Sequence, residues 1–172
     1  MTKIINRVRG FTLVEMIVYV AILGIITVLT INSTLVMTRA FADLRVSRDL
    51  NSSATALFER ITRDVRGAYD IDAAQSTFGA HPGRLMLNTK DSGGANTTIE
   101  FYVTGNRVNI REGGVDQGSI MTTSTSVSNF VVRQLTSTNT KAVKVEATIS
   151  ATRGNITKTR NFYTTIILRG TY

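Results

Sequence analysis

Arg9-Gly10-Phe11-Thr12-Leu13-Val14-Glu15 is the stretch that decides how this chain is read. A short basic leader, residues 1–10, carries Lys3, Arg7 and Arg9 and ends at a glycine. An apolar run begins at once and holds a single acid, Glu15, at its fifth position. A bare carboxylate in hydrocarbon costs on the order of 2.5 kcal/mol or more, so it needs a partner or a job. One reading of Glu15 is a tolerated acid that snorkels toward headgroups. The other is a contact made during assembly with a second chain.

The run continues from Phe11 to Ile31, carrying Glu15, Gly24, Thr27 and Thr30. At roughly 1.5 Å per residue, a helix of that length crosses a bilayer core of about 30 Å. The leader cations and the lack of early cations beyond the run place the N-terminus in the cytoplasm. The bulk of the chain is then extracytoplasmic, on a single-pass anchor in the cytoplasmic membrane. An ordinary secretory signal is cut after its apolar region, behind small residues. No such site lies between Ile31 and Ala40; the glycine precedes the apolar run instead.

Beyond the membrane run the helix continues through residues 32–68. Leu50, Ala54, Leu57, Phe58, Ile61, Val65 and Ala68 recur three or four apart and mark one apolar stripe. Arg45/Asp49, Glu59/Arg63 and Arg60/Asp64 stand four apart on the other face. Gly67 and the acidic turn at Asp70 and Asp72 predict the helix end. Asn32-Ser33-Thr34 is the weakest helical stretch, and Gly24 loosens the anchor, since glycine costs about 1 kcal/mol relative to alanine.

From residue 69 the pattern becomes β-rich. Leu85 and Leu87 predict a short strand. Ile99, Phe101 and Val103 alternate with polar neighbours, Gly105-Asn106 is a two-residue turn signal, and Val108 and Ile110 alternate again. Val127–Leu135, Val143–Ala151 and Phe162–Leu168 read as further strands, with Gly154-Asn155 turning the chain. Lys158 and Arg160 break the last alternation, which predicts a bulge or an exposed strand start near Asn161. Residues 88–97 and 112–126 read as loops. The expected class is α+β: a long N-terminal helix, half transmembrane and half amphipathic, packed on an antiparallel β-sheet.

The 172 residues include no cysteine, which removes disulfides and thiolate chemistry. His81 is the only histidine and sits in a turn. Asp64, Asp70 and Asp72 fall short of the six to eight oxygens that calcium takes. Gly93-Gly94 and Gly113-Gly114 do not lead a strand into a helix and so are not phosphate loops. The sequence therefore predicts no enzyme, no metal and no cofactor. The net charge is +8, and the stretch from Arg133 to Arg169 is lopsided, with seven basic residues against Glu146. Arg133, Lys141, Lys144, Arg153, Lys158 and Arg160 are candidates for nucleic-acid contact. They are equally the cations of a solvated β-surface.

The basic leader, Gly10, the apolar run and Glu15 together resemble the class III signal of type IV pilins and pseudopilins. The resemblance implies that a prepilin peptidase cuts between Gly10 and Phe11 and methylates the new terminus. It implies that Glu15 pairs with the terminal amine of an adjacent subunit, neutralising two charges that are costly in an apolar fibre core. Other pilin subunits and an assembly platform protein of the membrane are the implied partners, and a cell-surface or periplasmic fibre the destination. Major pilins commonly hold proline where Asn32 stands, which leans toward a minor subunit. Phe58 to Arg66, Ile99 to Val103 with Arg107 to Arg111, and Phe162 to Arg169 resemble J-type minor pseudopilins and W-type minor pilins. Tip pseudopilins of the K type usually lack the glutamate, and this chain has it.

Overall fold

The computed structural model describes residues 10–137 and 140–169. The leader cations Lys3, Arg7 and Arg9 lie outside the described residues. The chain divides into two compact units, the first running through Phe41 and the second beginning at Ala42.

In the first unit the apolar run is helical. It belongs to α1, Leu13–Gly67, which continues unbroken through Gly24 and through Asn32-Ser33-Thr34. The threonine hydroxyls do not disrupt it, because they bond back along the helix. Thr27, Thr30, Thr34 and Thr38 each donate to the carbonyl four residues earlier at 2.8–2.9 Å. The apolar side chains here are exposed, Leu23 at 64% and Ile25 at 62%.

The second unit contains the rest of α1 and eight strands. Of the stripe predicted on α1, Leu50, Ala54, Leu57, Ile61, Val65 and Ala68 are all at most 2% exposed and Phe58 is partly buried, while Val46, at 1%, extends the buried face one turn earlier. The helix ends at Gly67, where Ala68 N–H still donates to Asp64 O at 2.9 Å.

Two antiparallel sheets complete the unit. The first has the order β1 (Asp70–Ile71), β2 (Leu85–Lys90), β3 (Asn96–Thr104), β4 (Arg107–Glu112), β5 (Val115–Ser119). The second has the order β6 (Thr125–Ser137), β7 (Thr140–Arg153), β8 (Ile156–Ile167). Leu85, Phe101, Val108 and Ile110 from the first sheet and Phe130, Val145, Ile149 and Ile166 from the second share one core with the helix stripe. The architecture is thus α+β, as the patterns predict.

The β3–β4 turn places Gly105 at φ 58° and Asn106 at φ 60°, the backbone that a two-residue type I′ turn needs. At the β7–β8 turn only Gly154 is left-handed, at φ 58°, as in a type II′ turn.

Two expectations need correction. The stretch 88–97 is half strand, with the turn confined to 91–95, where Asp91 Oδ1 accepts from Gly93 and Ala95 N–H at 2.8 and 2.9 Å. The stretch 112–126 contains β5, which pairs with β4. Of the two alternatives near Asn161, the structure has the exposed strand start: β8 pairs with β7 in unbroken register, and residues 157 and 159–161 are exposed. The register shifts lie instead at Ile110/Arg111 and Val127/Asn129.

The free margin of β6 is closed by the segment before β2. Gly79 N–H donates to Val132 O at 2.9 Å, Gly83 N–H to Phe130 O at 2.8 Å, and Phe130 N–H to His81 Nδ1 at 3.0 Å. Asn106 O accepts from Val127 N–H at 2.7 Å further along. The lone histidine is therefore an acceptor for an edge strand.

Candidate processing and assembly site

The deciding stretch sits at the start of α1. Gly10 and Phe11 precede the first helical residue and are exposed, Phe11 at 70%. Thr12 is the helix N-cap. Its Oγ1 accepts from Glu15 N–H at 3.3 Å, and Glu15 Oε2 accepts in return from Thr12 N–H at 3.4 Å. This reciprocal pair is a capping box, in which two backbone donors with no helical partner are satisfied by side chains. The carboxylate also faces the positive end of the helix dipole. The Phe11 ring meets Tyr19 edge-on, with centroids 5.9 Å apart.

The arrangement has clear chemical capacities. The Gly10–Phe11 bond lies outside regular structure and is open to a protease. A new amine at Phe11 would stand one residue from the Thr12 N–H that Glu15 already faces. The carboxylate is exposed, so it can exchange its weak cap bond for a cation from elsewhere. Sequence reading found Glu15 but missed its local role, although the Thr-x-x-Glu spacing that encodes it is plain in residues 12–15.

Residues 5–31 match the family model for the prokaryotic N-terminal methylation motif. This chain carries a type IV pilin-like class III signal. No curated protein and no solved structure matches the chain. The helix behind the signal, with mean hydropathy 2.4 over its best window and no residue of that window buried, is long and apolar enough to cross a membrane. Such a signal goes with prepilin peptidase processing and assembly with other pilins.

Most of the basic residues between Arg133 and Arg160 have a carboxylate partner. Lys141 pairs with Asp70 at 2.6 Å, Lys158 with Asp43 at 2.5 Å and Arg153 with Asp49 at 3.7 Å. Lys144 and Arg133 share Glu146, at 2.7 and 3.6 Å. Arg160 stands exposed on β8. The Lys141 ammonium, by its hydrogen bond, holds the Asp70 carboxyl below the usual carboxylate range. Lys144 does the same to Glu146.

The acids near the helix end do not converge either. Asp64 takes Arg60 at 2.6 Å, and Arg60 also reaches Glu112. Asp72 caps the turn that follows, accepting from Ala74 and Gln75 N–H at 3.0 and 3.1 Å. Among the described residues no group of three or more histidines and acids is placed to hold a metal.

A polar cluster covers the outer face of the first sheet. Glu100, 3% exposed, lies between Arg84 at 2.5 Å and Arg111 at 2.7 Å. Arg111 stacks 4.7 Å above the Tyr102 ring, and Tyr102 donates to Asp116 at 2.7 Å. That hydrogen bond raises the phenol, while Gly118 N–H and then Tyr102 lower Asp116. The two arginines are matched by two carboxylates, which suits a structural ladder across strands.

Proposed function

We propose that this chain is a minor pilin or pseudopilin, of the J or W kind, that helps to initiate a type IV pilus or type II secretion-like fibre. Its work is mechanical and involves no catalytic step. The peptidase frees Phe11, the 11–31 helix leaves the cytoplasmic membrane for the fibre core, and the 69–172 domain faces outward from an extracytoplasmic position. Glu15 attracts the methylated amine of a neighbouring subunit and so sets the step between them. A cytoplasmic ATPase and a membrane platform protein supply the force.

The observation that carries this reading is the placement of Glu15. It caps the helix in the lone chain through a long, exposed hydrogen bond that a stronger cationic partner can replace. The absence of proline at Asn32 and the strand patterns of 99–111 and 162–169 support the minor-subunit part.

The test is the mass of the mature N-terminus, with and without prepilin peptidase. A chain that begins at methylated Phe11 only when the peptidase is present supports the proposal. A chain that keeps Met1, or is cut beyond Ile31, defeats it. Counting this chain against the most abundant subunit in isolated fibres then tests minor status, for which a small fraction is expected.

A further inference from the structure

The second sheet is finished on one side only. Its β6 margin is closed by backbone and histidine contacts from residues 79–83 and 106. Its other margin is β8, and among the described residues no strand pairs with the outer edge of β8. Soluble domains usually protect such an edge with charge, proline, a bulge or a covering segment. The first half of β8 has that protection, because Lys158 and Arg160 stand on its inward parity. The second half, Phe162-Tyr163-Thr164-Thr165-Ile166-Ile167, has no charge, glycine or proline. Its composition favours β-pairing. Tyr163 is 78% exposed and Ile167 51%.

A groove of about 740 Å³ borders the end of this half-strand. One wall is a single stripe of α1, Thr55, Phe58, Thr62 and Arg66, with Arg63 beside it. Arg169, two residues after β8, forms the other side. Phe58 is only partly buried and meets Phe162 of β8 with centroids 6.2 Å apart. A strand added about 4.8 Å beyond β8 would extend the sheet across this stripe and cover Phe58. Three arginines line the groove against one acid, Glu59. Arg63 also contacts Asp64 at 3.6 Å, while Arg66 and Arg169 have no ion pair among the described residues.

We propose that Phe162–Ile167 accepts an extended, acidic segment of a neighbouring fibre subunit as a fourth strand, with its carboxylates on Arg66 and Arg169. Main-chain hydrogen bonds supply the affinity, and the groove selects for charge. The proposal rests on the fibre reading for the source of the strand. Strand addition itself is a property of the lone chain and is tested apart from processing.

The experiment is amide hydrogen exchange on the full chain in detergent, with two acetylated ten-residue probes. Both alternate valine with polar residues. One carries aspartate and glutamate, the other lysine. The acidic probe should slow exchange about tenfold at alternate amides within 162–167, where edge amides are otherwise open. It should bind at least about fivefold tighter than the basic probe, and the double variant Arg66→Glu, Arg169→Glu should reverse that order without shifting the melting temperature. Protection without any probe that grows with chain concentration would mean that a second copy occupies the edge, and would overturn the proposal. So would equal binding of both probes, or no protection of 162–167 at millimolar probe.

Discussion

Glu15 has a local role and an assembly role, and the two can be separated by one atom's worth of chemistry. Glutamine at this position keeps an oxygen for the Thr12 N–H and so keeps the capping box, but it carries no charge. Alanine loses both. Glu15→Gln and Glu15→Ala should therefore both be processed at Gly10 and both fail to enter fibres, as read by immunoblots of sheared fibres. Fibre entry by the glutamine variant at the normal level, with alanine excluded, would reduce Glu15 to a helix cap. Asp70 offers a residue-scale test in the β-domain. Its carboxyl is lowered by Lys141, so the pair stabilises the fold above the ordinary carboxylate pKa and is lost as pH falls through the lower folded value. Both side chains are more than a third exposed, so Lys141→Met should cost only about 0.2–1 kcal/mol near neutrality. Denaturant melts should show that difference shrinking below about pH 4 and gone once Asp70 is protonated in both states.

At the scale of elements, the helix was legible because its stripe is local. Leu50, Leu57, Ile61 and Val65 declare one face within four turns, and each is fully buried. The β3–β4 hairpin was legible for the same reason, with Gly105-Asn106 fixing both the turn and the register. What escaped depends on distant partners. β5, Val115-Asp116-Gln117-Gly118-Ser119, has no alternation because it is an exposed edge, and only pairing with β4 makes it a strand. Lys158 looked like a fault in β8; it is inward because Asp43 and Ser47, more than a hundred residues earlier, receive its ammonium at 2.5 and 2.9 Å. Gly83 is another case. A Cβ there would lie 2.8 Å from Phe130 O, against the backbone of β6. Gly83→Ala should therefore push the closing segment off the β6 margin and destabilise the fold by about 1–3 kcal/mol, the usual range for overpacking. Chemical denaturation would measure it, and exchange should rise first at Phe130 and Val132. An unchanged midpoint would show that the segment yields freely. By contrast, Leu57→Ala removes a fully buried side chain from the shared core and should cost about 2–5 kcal/mol in the same assay.

At the scale of the whole molecule, the basic excess is a matter of placement. Beyond Gly10 the chain has seventeen basic and twelve acidic residues, and sequence alone clusters the cations between Arg133 and Arg169. Folding brings Asp43 and Asp49 from α1 and Asp70 from β1 to three of them, and Glu146 serves two more. A cation already held by a carboxylate gains little from a phosphate, because it must give up one anion for another. Duplex DNA should then find few free cations within that stretch, Arg160 on β8 and Arg169 beside the groove; Arg39, Arg45, Arg48, Arg66, Lys90 and Arg107, which also have no ion pair among the described residues, are spread over α1 and the first sheet. The full chain in detergent should bind DNA with a log–log salt slope no steeper than about −2 to −3, and too weakly to detect at physiological salt. Asp43→Asn with Asp49→Asn would release Lys158 and Arg153 and should steepen that slope by about two. The comparison is internal to one protein, so it separates charge that is present from charge that is available. Should the unmodified chain already show a slope near −5 or beyond, the ion pairs must open on contact with DNA, and uptake of nucleic acid would displace fibre initiation as the better account of this β-domain.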